Sequence, residues 1–196
     1  IQNNPEAILQ LANNANDGNL EAGSFIFTTS PSLLCTNSLL SAFEPGDQRR
    51  NKWIDSAVYQ GSVYYFPTKY KVVGSGGNEY YTILRLSEQY LIRAEARANQ
   101  NNMSGAQSDI NTLRNRAGLG SILVNDKPTM LFAIEQERRL ELFAETGHRW
   151  FDLKRTGRVN EVMSAEKSVW KPEDALYPLP LSDIQIDPSL SQNPGY

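Results

Sequence analysis

One stretch of the chain combines residues that could do chemistry, ELFAETGHRWFDLKR (141–155), and it holds the only histidine. Glu145 and His148 stand three positions apart, the spacing that places two metal ligands on one helix face. A di-metal carboxylate centre needs two such elements and two further glutamates, which a single histidine excludes. Gly147 also favours a helix end where the three-residue geometry would have to hold. We therefore expect neither a metal nor a cofactor, and we interpret His148 as the start of a second helix.

Four glutamates in this stretch and just before it could provide the acid and base of a glycosidase: Glu135, Glu137, Glu141 and Glu145. Such enzymes hold two carboxyl groups about 5 to 9.5 Å apart across a cleft, and no feature of the sequence places these residues in one. Their spacing favours ion pairs along a helix, because Glu135 stands four positions before Arg139. The sequence also lacks a G-x-S-x-G motif and a second histidine that could activate a serine or Cys35. We predict a protein that is not an enzyme.

A group of aromatic residues is typical of a ligand-binding site. Seven tryptophan and tyrosine residues fall within about thirty positions rich in Asn, Gln, Ser and Arg: Trp53, Tyr59, Tyr64, Tyr65, Tyr70, Tyr80 and Tyr81. Aromatic rings stack on the apolar faces of sugars, while amide and guanidinium groups hydrogen-bond the hydroxyls. The alternative for any single ring is core packing in a region with few aliphatic residues. We select Trp53, Tyr59, Tyr65 and Arg50 as candidate ligand-binding residues.

Composition excludes several classes of protein. The net charge of −3 offers no basic field for a phosphate backbone, so we expect no nucleic-acid partner. No run of 18 apolar residues is present that could cross a membrane as a helix. Cys35 is the only cysteine, which rules out an internal disulfide and a thiolate zinc site, and we interpret it as a half-buried hydrophobic residue.

Helical periodicity is clearest over residues 84–157. Segments 84–100 and 104–120 each carry an apolar stripe, and the short link between them predicts an antiparallel hairpin. The hairpin is of the tetratricopeptide type, in which small residues let the two backbones approach closely, here Ala94, Ala98 and Ala106. A third helix should run from Pro128 to Gly147. A shorter one should end at Gly157, with Trp150 and Phe151 as core anchors.

The flanking segments are less regular. Segment 4–15 predicts a first helix with Asn4 as N-cap, 21–32 a short extended piece and 36–43 a short helix. Segment 62–73 is β-prone, and Pro67 restricts it to an edge strand or a loop. The proline-punctuated tail should contain one short helix capped by Ser182.

Four blocks in order resemble the C-terminal part of the SusD/RagB family: RLSEQYLIRAEARAN, DINTLRNRAGL, ERRLELFAETGHRWFDLKRTG and YPLPLSDIQIDPSLSQNPGY. The segment SLLSAFEPGDQRR also resembles the family's Phe-x-x-x-Asp-x-Arg element. The resemblance implies a mainly α, tetratricopeptide-like fold over residues 1–196 as a single C-terminal domain. Its parts would be a loop-rich, partly extended segment (1–83), a helical scaffold (84–157) and a Pro-rich tail (158–196).

The resemblance also implies a function. Family members are surface-exposed outer-membrane lipoproteins of Bacteroidetes-type bacteria, which bind oligosaccharides or other nutrients and pass them to a SusC-like TonB-dependent transporter. The lipid anchor would lie in an N-terminal part outside this chain, so Cys35 is not assigned to it. No binding residue is transferred, because the matching blocks are scaffold motifs. Two alternatives stay open: a helical protein-interaction module with an apolar groove along the three alanines, and a helical glycosidase.

Overall fold

The computed structural model describes residues 4–13, 19–26, 30, 32–74 and 79–196. The chain divides into two compact units, residues 1–146 and 147–196. Whether the two units act as the single domain expected from the sequence stays a prediction. Within the described residues, no helix has both the length and the apolar character that crossing a membrane would require.

The first unit alternates short elements with three long helices. In chain order its elements are β1 (Ala7–Leu11), α1 (Leu20–Phe25), α2 (Asn37–Leu40), α3 (Gln48–Trp53), β2 (Ile54–Tyr59), β3 (Ser62–Pro67), β4 (Tyr81–Arg85), α4 (Leu86–Asn99), α5 (Met103–Arg116) and α6 (Lys127–Glu141). The strands form two separate two-stranded antiparallel sheets, β1 with β4 and β2 with β3. The mainly α, tetratricopeptide-like fold expected from the sequence is confirmed.

The predicted helix hairpin is confirmed as α4 and α5, and it supplies the core of this unit. Ala94, Ala98 and Ala106 have no exposed surface, so the backbones approach closely where the small residues predicted it. Leucine, isoleucine and methionine side chains from α4, α5 and α6 complete the cluster, including Leu91, Ile110, Met130 and Ile134. Leu84 is 40 % exposed, because it belongs to β4 and the helix begins only at Leu86.

The predicted first helix is wrong. Residues Ala7–Leu11 form β1, which pairs antiparallel with β4, and Asn4 accepts a hydrogen bond from the backbone N–H of Glu6 in a turn instead of capping a helix. The apolar side chains of this strand are not buried, since Ile8 and Leu11 retain 55 % and 54 % of their surface. Backbone pairing with a strand some seventy positions away has overridden the local helical pattern.

Other short elements agree in part. The extended piece expected at 21–32 is wrong over residues 21–25, which belong to the helix α1. Asn19 caps this helix by accepting hydrogen bonds from two backbone N–H groups. Residues 27–29 and 31 lie outside the described part. The short helix predicted at 36–43 is confirmed as α2. The edge strand predicted from residue 62 is confirmed as β3, which ends at Pro67.

The third long helix ends earlier than expected. Its last residue is Glu141 instead of Gly147, and the chain then turns through positive φ angles at Ala144 (54°), Thr146 (35°) and Gly147 (74°). Positive φ stops a helix, and glycine adopts it at no steric cost. A new helix then begins at His148, as predicted.

The second unit contains α7 (His148–Arg155), α8 (Val159–Glu166), a 3₁₀ turn (Pro172–Ala175) and α9 (Leu181–Ile186). The prediction of Phe151 as a core anchor is wrong, because this residue is 63 % exposed; Trp150 is half-buried. The tail includes α8, which the sequence did not predict. The short helix α9 is confirmed, but Ser182 lies inside it and donates to Asp183 instead of capping.

Replacing Ala98 by leucine should destabilise the chain by about 1–3 kcal/mol, because the added volume has no space between α4 and α5. Ala96 lies on the exposed side of the same helix, so Ala96→Leu is the matched control and should change stability by less than about 0.5 kcal/mol. Urea unfolding followed by circular dichroism measures both. Equal stability of the two variants would contradict the buried alanine contact.

Candidate functional site

A buried ionic cluster lies beside a large cavity of the first unit. Its acidic members are Asp47, Glu137, Glu141 and Glu145, and its basic members are Arg49, Lys69, Arg85 and Arg116. Glu137 and Glu141 stand one helical turn apart on the same face of α6. The cations come from α3, the segment after β3, the end of β4 and the last turn of α5. Segments distant in sequence therefore meet at one set of charges.

Arg49 links α3 to α6. Its guanidinium group donates to the carboxylate of Asp47 (2.8 Å), to Glu137 (2.5 Å) and to Glu141 (3.1 Å), and only 3 % of the residue is exposed. Asp47 also accepts from the backbone N–H of Arg49 and so caps α3. Burial opposes the charge on Arg49, but its hydrogen bond to Asp47 and the neighbouring carboxylates raise its pKa overall.

Glu141 is the centre of the cluster. It has no exposed surface, and its carboxylate accepts hydrogen bonds from Arg85 (2.5 Å), Arg116 (2.5 Å) and Arg49 (3.1 Å). Burial alone would raise its pKa, but Arg85 and Arg116 more than offset burial and hold the pKa below its usual range. Glu141 is therefore a structural anion with no access to a ligand.

Lys69 joins this cluster to two aromatic rings. Its ammonium nitrogen lies 4.6 Å from the ring centroid of Trp53 and 4.3 Å from that of Phe143. It donates to the carbonyl oxygen of Glu141 (2.6 Å) and to the carboxylate of Glu145. Burial lowers the pKa of Lys69 to about 8, although the charge of Glu145 opposes that change. The ammonium group of Lys69 thus makes its contacts within the protein.

The cavity itself has a volume of about 460 Å³, within the range of about 300–1,000 Å³ that holds small ligands. Two rings line it, Trp53 and Tyr70, together with the polar side chains of Asn4 and Thr82. The hydroxyl oxygen of Tyr70 accepts a hydrogen bond from the backbone N–H of Thr82 (2.8 Å), which fixes that ring. Burial raises the pKa of Tyr70, so its hydroxyl stays neutral and keeps its proton.

Charged groups also line the cavity, but most of them are already paired. Arg85 donates to Glu145 (2.9 Å) and to Glu6 (3.1 Å), and all three residues belong to the lining with Lys69. Glu79 accepts from the backbone N–H groups of residues 71 and 72. The lining therefore offers a ligand two aromatic rings, an amide and hydroxyl groups. Most of its charged side chains neutralise one another.

The four candidate ligand residues lie in three places. Trp53 lines the cavity, whereas the guanidinium of Arg50 lies 4.9 Å from the ring centroid of Tyr65 on the β2–β3 hairpin. In that hairpin Tyr59 pairs with residue 62 and Tyr65 with residue 56, so the alternation of side chains puts Tyr59 and Tyr65 on opposite faces. Tyr59 contacts Tyr64 instead, at 6.4 Å between ring centroids. Their role as ligand contacts stays a prediction.

Trp53 is the one selected residue that lines the cavity; the selection missed the other lining residues, among them Tyr70, Asn4 and Thr82. Tyr70 belonged to the group of seven rings, but no feature of its local sequence distinguished it from Tyr64 or Tyr80. Asn4 was assigned to a helix cap, an error that follows from the wrong first helix. Asn4 precedes β1 and reaches the cavity because β1 pairs with β4, whereas Tyr70 is held there by its hydrogen bond from the backbone of Thr82.

The two alternatives lose support from this geometry. Glu137, Glu141 and Glu145 are each bound to an arginine, and although burial raises the pKa of Glu137, that residue is 3 % exposed and does not line the cavity. The alanine groove needed by an interaction module is fully buried. Among the described residues, no group of three or more His, Cys, Asp or Glu could hold a metal ion. Cys35 is half-buried, and burial raises the pKa of its thiol to about 11.

Comparison with known proteins gives consistent matches. The model of the SusD family matches residues 43–196. A SusD-like protein of Formosa agariphila is 32 % identical over 123 residues, which cover 58 % of this chain and 24 % of that protein. A SusD superfamily structure from Parabacteroides distasonis superposes with a TM-score of 0.72 at 22 % identity, over 97 % of this chain and 50 % of the other.

A further solved structure, surface glycan-binding protein A from Bacteroides thetaiotaomicron, gives a TM-score of 0.74 at 20 % identity, over 97 % of this chain and 52 % of the other. At these identities the superpositions establish the fold. The chain spans about half the length of the solved structures and about a quarter of the curated relative.

Replacing Glu141 by glutamine should destabilise the chain by about 3 kcal/mol, because three arginines would lose their shared buried anion. Glu161→Gln removes an exposed carboxylate that pairs with Arg158 on α8 and should leave the free energy of unfolding unchanged. Urea unfolding near neutral pH compares them. A Glu141→Gln variant as stable as the control would contradict the central role of this carboxylate.

Lys69 should make the stability of the chain rise with pH between about 8 and about 10.4. In the folded chain its pKa is about 8, below the value of about 10.4 for an exposed lysine. In that interval the unfolded chain therefore binds a proton that the folded chain has released, which favours folding as pH rises. The measurement is the free energy of unfolding of wild type and Lys69→Met at both ends of the interval. Equal slopes would show that Lys69 titrates normally.

Proposed function

The chain belongs to the SusD family, and from that membership we propose that the intact protein binds an oligosaccharide or another nutrient at the bacterial cell surface. The protein would not be an enzyme. The surface glycan-binding proteins of similar fold and the aromatic, polar cavity of this chain both support a glycan as the ligand. Since the chain spans about half of the solved structures, this activity is proposed for the whole protein.

The cavity beside Trp53 is the proposed ligand site, and its lining is the observation that carries the proposal. A pyranose ring can stack on Trp53 or Tyr70, while the amide of Asn4 and the hydroxyls of Tyr70 and Thr82 can hydrogen-bond its hydroxyl groups. The charges beneath are paired with one another, so they do not demand a charged ligand. The volume suits one or two sugar rings of a longer chain.

The β2–β3 hairpin would extend this site. Tyr65, with Arg50 over its ring, presents one aromatic face, and Tyr59 with Tyr64 presents another on the opposite side of the hairpin. A glycan longer than the cavity could contact one of these faces, but a single sugar could not contact both. Tyr65 and Arg50 therefore belong to one proposed contact and Tyr59 to a separate one.

The binding protein would work with a transporter. We place it at the outer membrane, surface-exposed and held by a lipid anchor outside this chain, where it would deliver the ligand to a SusC-like TonB-dependent transporter. This part of the proposal depends on the sequence blocks that resemble the family. Binding without hydrolysis suits such a role, because a transporter needs the ligand intact, and the engaged state of Glu137, Glu141 and Glu145 supports it.

Replacing Trp53 by alanine in the intact protein should weaken glycan binding about tenfold, because one stacking ring is lost. Calorimetric titration with a panel of neutral hexasaccharides (maltohexaose, cellohexaose, laminarihexaose and xylohexaose) identifies the ligand and measures the change. Trp53→Tyr keeps a ring and should retain most of the affinity. Tyr65→Ala tests the hairpin contact in the same titration.

Phe132→Ala is the matched control for the loss of an aromatic side chain, since Phe132 is 52 % exposed on α6 and does not line the cavity. It should bind like wild type. Unchanged affinity in both Trp53→Ala and Tyr65→Ala would remove these residues from the site. A wild-type protein that binds no member of the panel would contradict the proposed glycan ligand.

A further inference from the structure

The second unit carries an aromatic cluster that the cavity does not involve. The ring of Trp150 on α7 lies 6.2 Å from the ring of Trp170 and 6.2 Å from that of Tyr177, at interplanar angles of 72° and 63°. We call these three residues the aromatic platform. Tyr177 is 73 % exposed, although rings of this size usually bury most of their surface. An exposed ring in such a cluster needs a reason beyond core packing.

The platform is held rigidly. The carbonyl oxygen of Tyr177 accepts a hydrogen bond from the side-chain amide of Asn193 (2.7 Å), and that of the preceding residue accepts from the hydroxyl of Tyr196 (2.8 Å). The side chain of Gln192 accepts from the N–H of Leu179 (2.7 Å) and donates to its carbonyl oxygen (2.9 Å). The tail motif SQNPGY thus fixes the segment that displays the exposed ring.

One glycine of that motif is required for this arrangement. Gly195 has φ of +93°, and a Cβ atom there would lie 2.7 Å from the Cβ of Glu173 on the 3₁₀ turn. Only glycine permits both the conformation and the close approach. The second tryptophan is fixed as well, because the indole N–H of Trp170 donates to the side-chain oxygen of Asn160 (3.0 Å). Fixed rings bind with little loss of conformational entropy.

From this geometry we propose that the aromatic platform is a second carbohydrate-binding site, at which a neutral sugar ring stacks on the exposed ring of Tyr177. The proposal rests on the glycan binding proposed above, but it concerns different residues. Exposed tyrosine and tryptophan rings combine an apolar face with a polar edge, and a pyranose matches that combination. The hydroxyl of Tyr177 and the amide of Asn160 provide hydrogen-bonding groups near the rings.

The main chemical competitor is a cationic ligand, since three rings at steep angles resemble a cage for an ammonium group. The chain's own Lys154 already lies over one of these rings. The ammonium nitrogen of Lys154 lies 5.5 Å from the ring centroid of Trp150 and donates to the carbonyl oxygen of Ala175 (2.8 Å). A second cation would be repelled there, which leaves a neutral ligand as the better match.

The test uses the intact protein, the hexasaccharide panel named above and calorimetric titration. Tyr177→Ala should weaken binding of the recognised hexasaccharide about two- to tenfold, the effect of one aromatic contact. Tyr177→Phe should bind like wild type, because the stacking face remains. Phe151→Ala is the matched control, because Phe151 is 63 % exposed on α7 but does not belong to the platform. It should also bind like wild type.

The outcomes separate this proposal from the previous one. Affinity that is unchanged in Tyr177→Ala but reduced in Trp53→Ala would overturn the platform and leave the cavity intact. Reduced affinity in Tyr177→Ala with an unchanged melting temperature would support it, since removal of an exposed ring should not unfold the chain. Failure of the wild type to bind any hexasaccharide would overturn both. Equal losses in Tyr177→Ala and Phe151→Ala would also overturn it, because the effect would not be specific to the platform.

Discussion

The buried carboxylate of Glu141 is the constraint on which the first unit depends. An anion without exposed surface is tolerable only when cations surround it, and here the cations come from α3, β4 and α5. If any one segment moved, a charge would stay buried without its partner, which costs far more than an exposed ion pair. The cluster therefore fixes α3 and the end of β4 against α5 and α6.

The ionic cluster also determines which groups of the cavity are available to a ligand. Lys69, Arg85 and Glu145 form part of its lining, and each is already bound to another member of the cluster. Because these charges are satisfied internally, they add rigidity without adding a net demand for a charged ligand. What remains available is the ring of Trp53, the ring and hydroxyl of Tyr70 and nearby polar side chains. A site of this kind gains specificity from shape and hydrogen-bond direction.

Local sequence was sufficient where local contacts decide the structure. The apolar and small residues of α4 and α5 repeat at helical spacing, so both helices, their antiparallel pairing and the buried alanines were predictable. It failed where a distant partner decides: the segment that became β1 has a helical pattern, yet it pairs with β4. The ionic cluster could not be predicted from local sequence either. Arg49 and Glu141 are 92 positions apart, whereas the predicted ion pairs were sought within one helix. For the same reason, local sequence did not identify Tyr70 and Asn4 as residues of the candidate site.

The positions that look most reactive in this sequence are thus poor guides to its ligand. Glu145 has the spacing of a metal ligand with His148, but its carboxylate binds Lys69 and Arg85, and the chain turns at Gly147 before the next helix begins. In a scaffold element, the fold supplies the partners of a charged side chain. Such a side chain stabilises the structure and is not available to a ligand. An aromatic ring at the end of a helix, such as Trp53, or in a connecting segment, such as Tyr177, needs no charged partner. One face of such a ring can pack internally while the remainder stays accessible. In a helical scaffold of this type, ligand specificity can change through the loops without disturbing the ion pairs that position them.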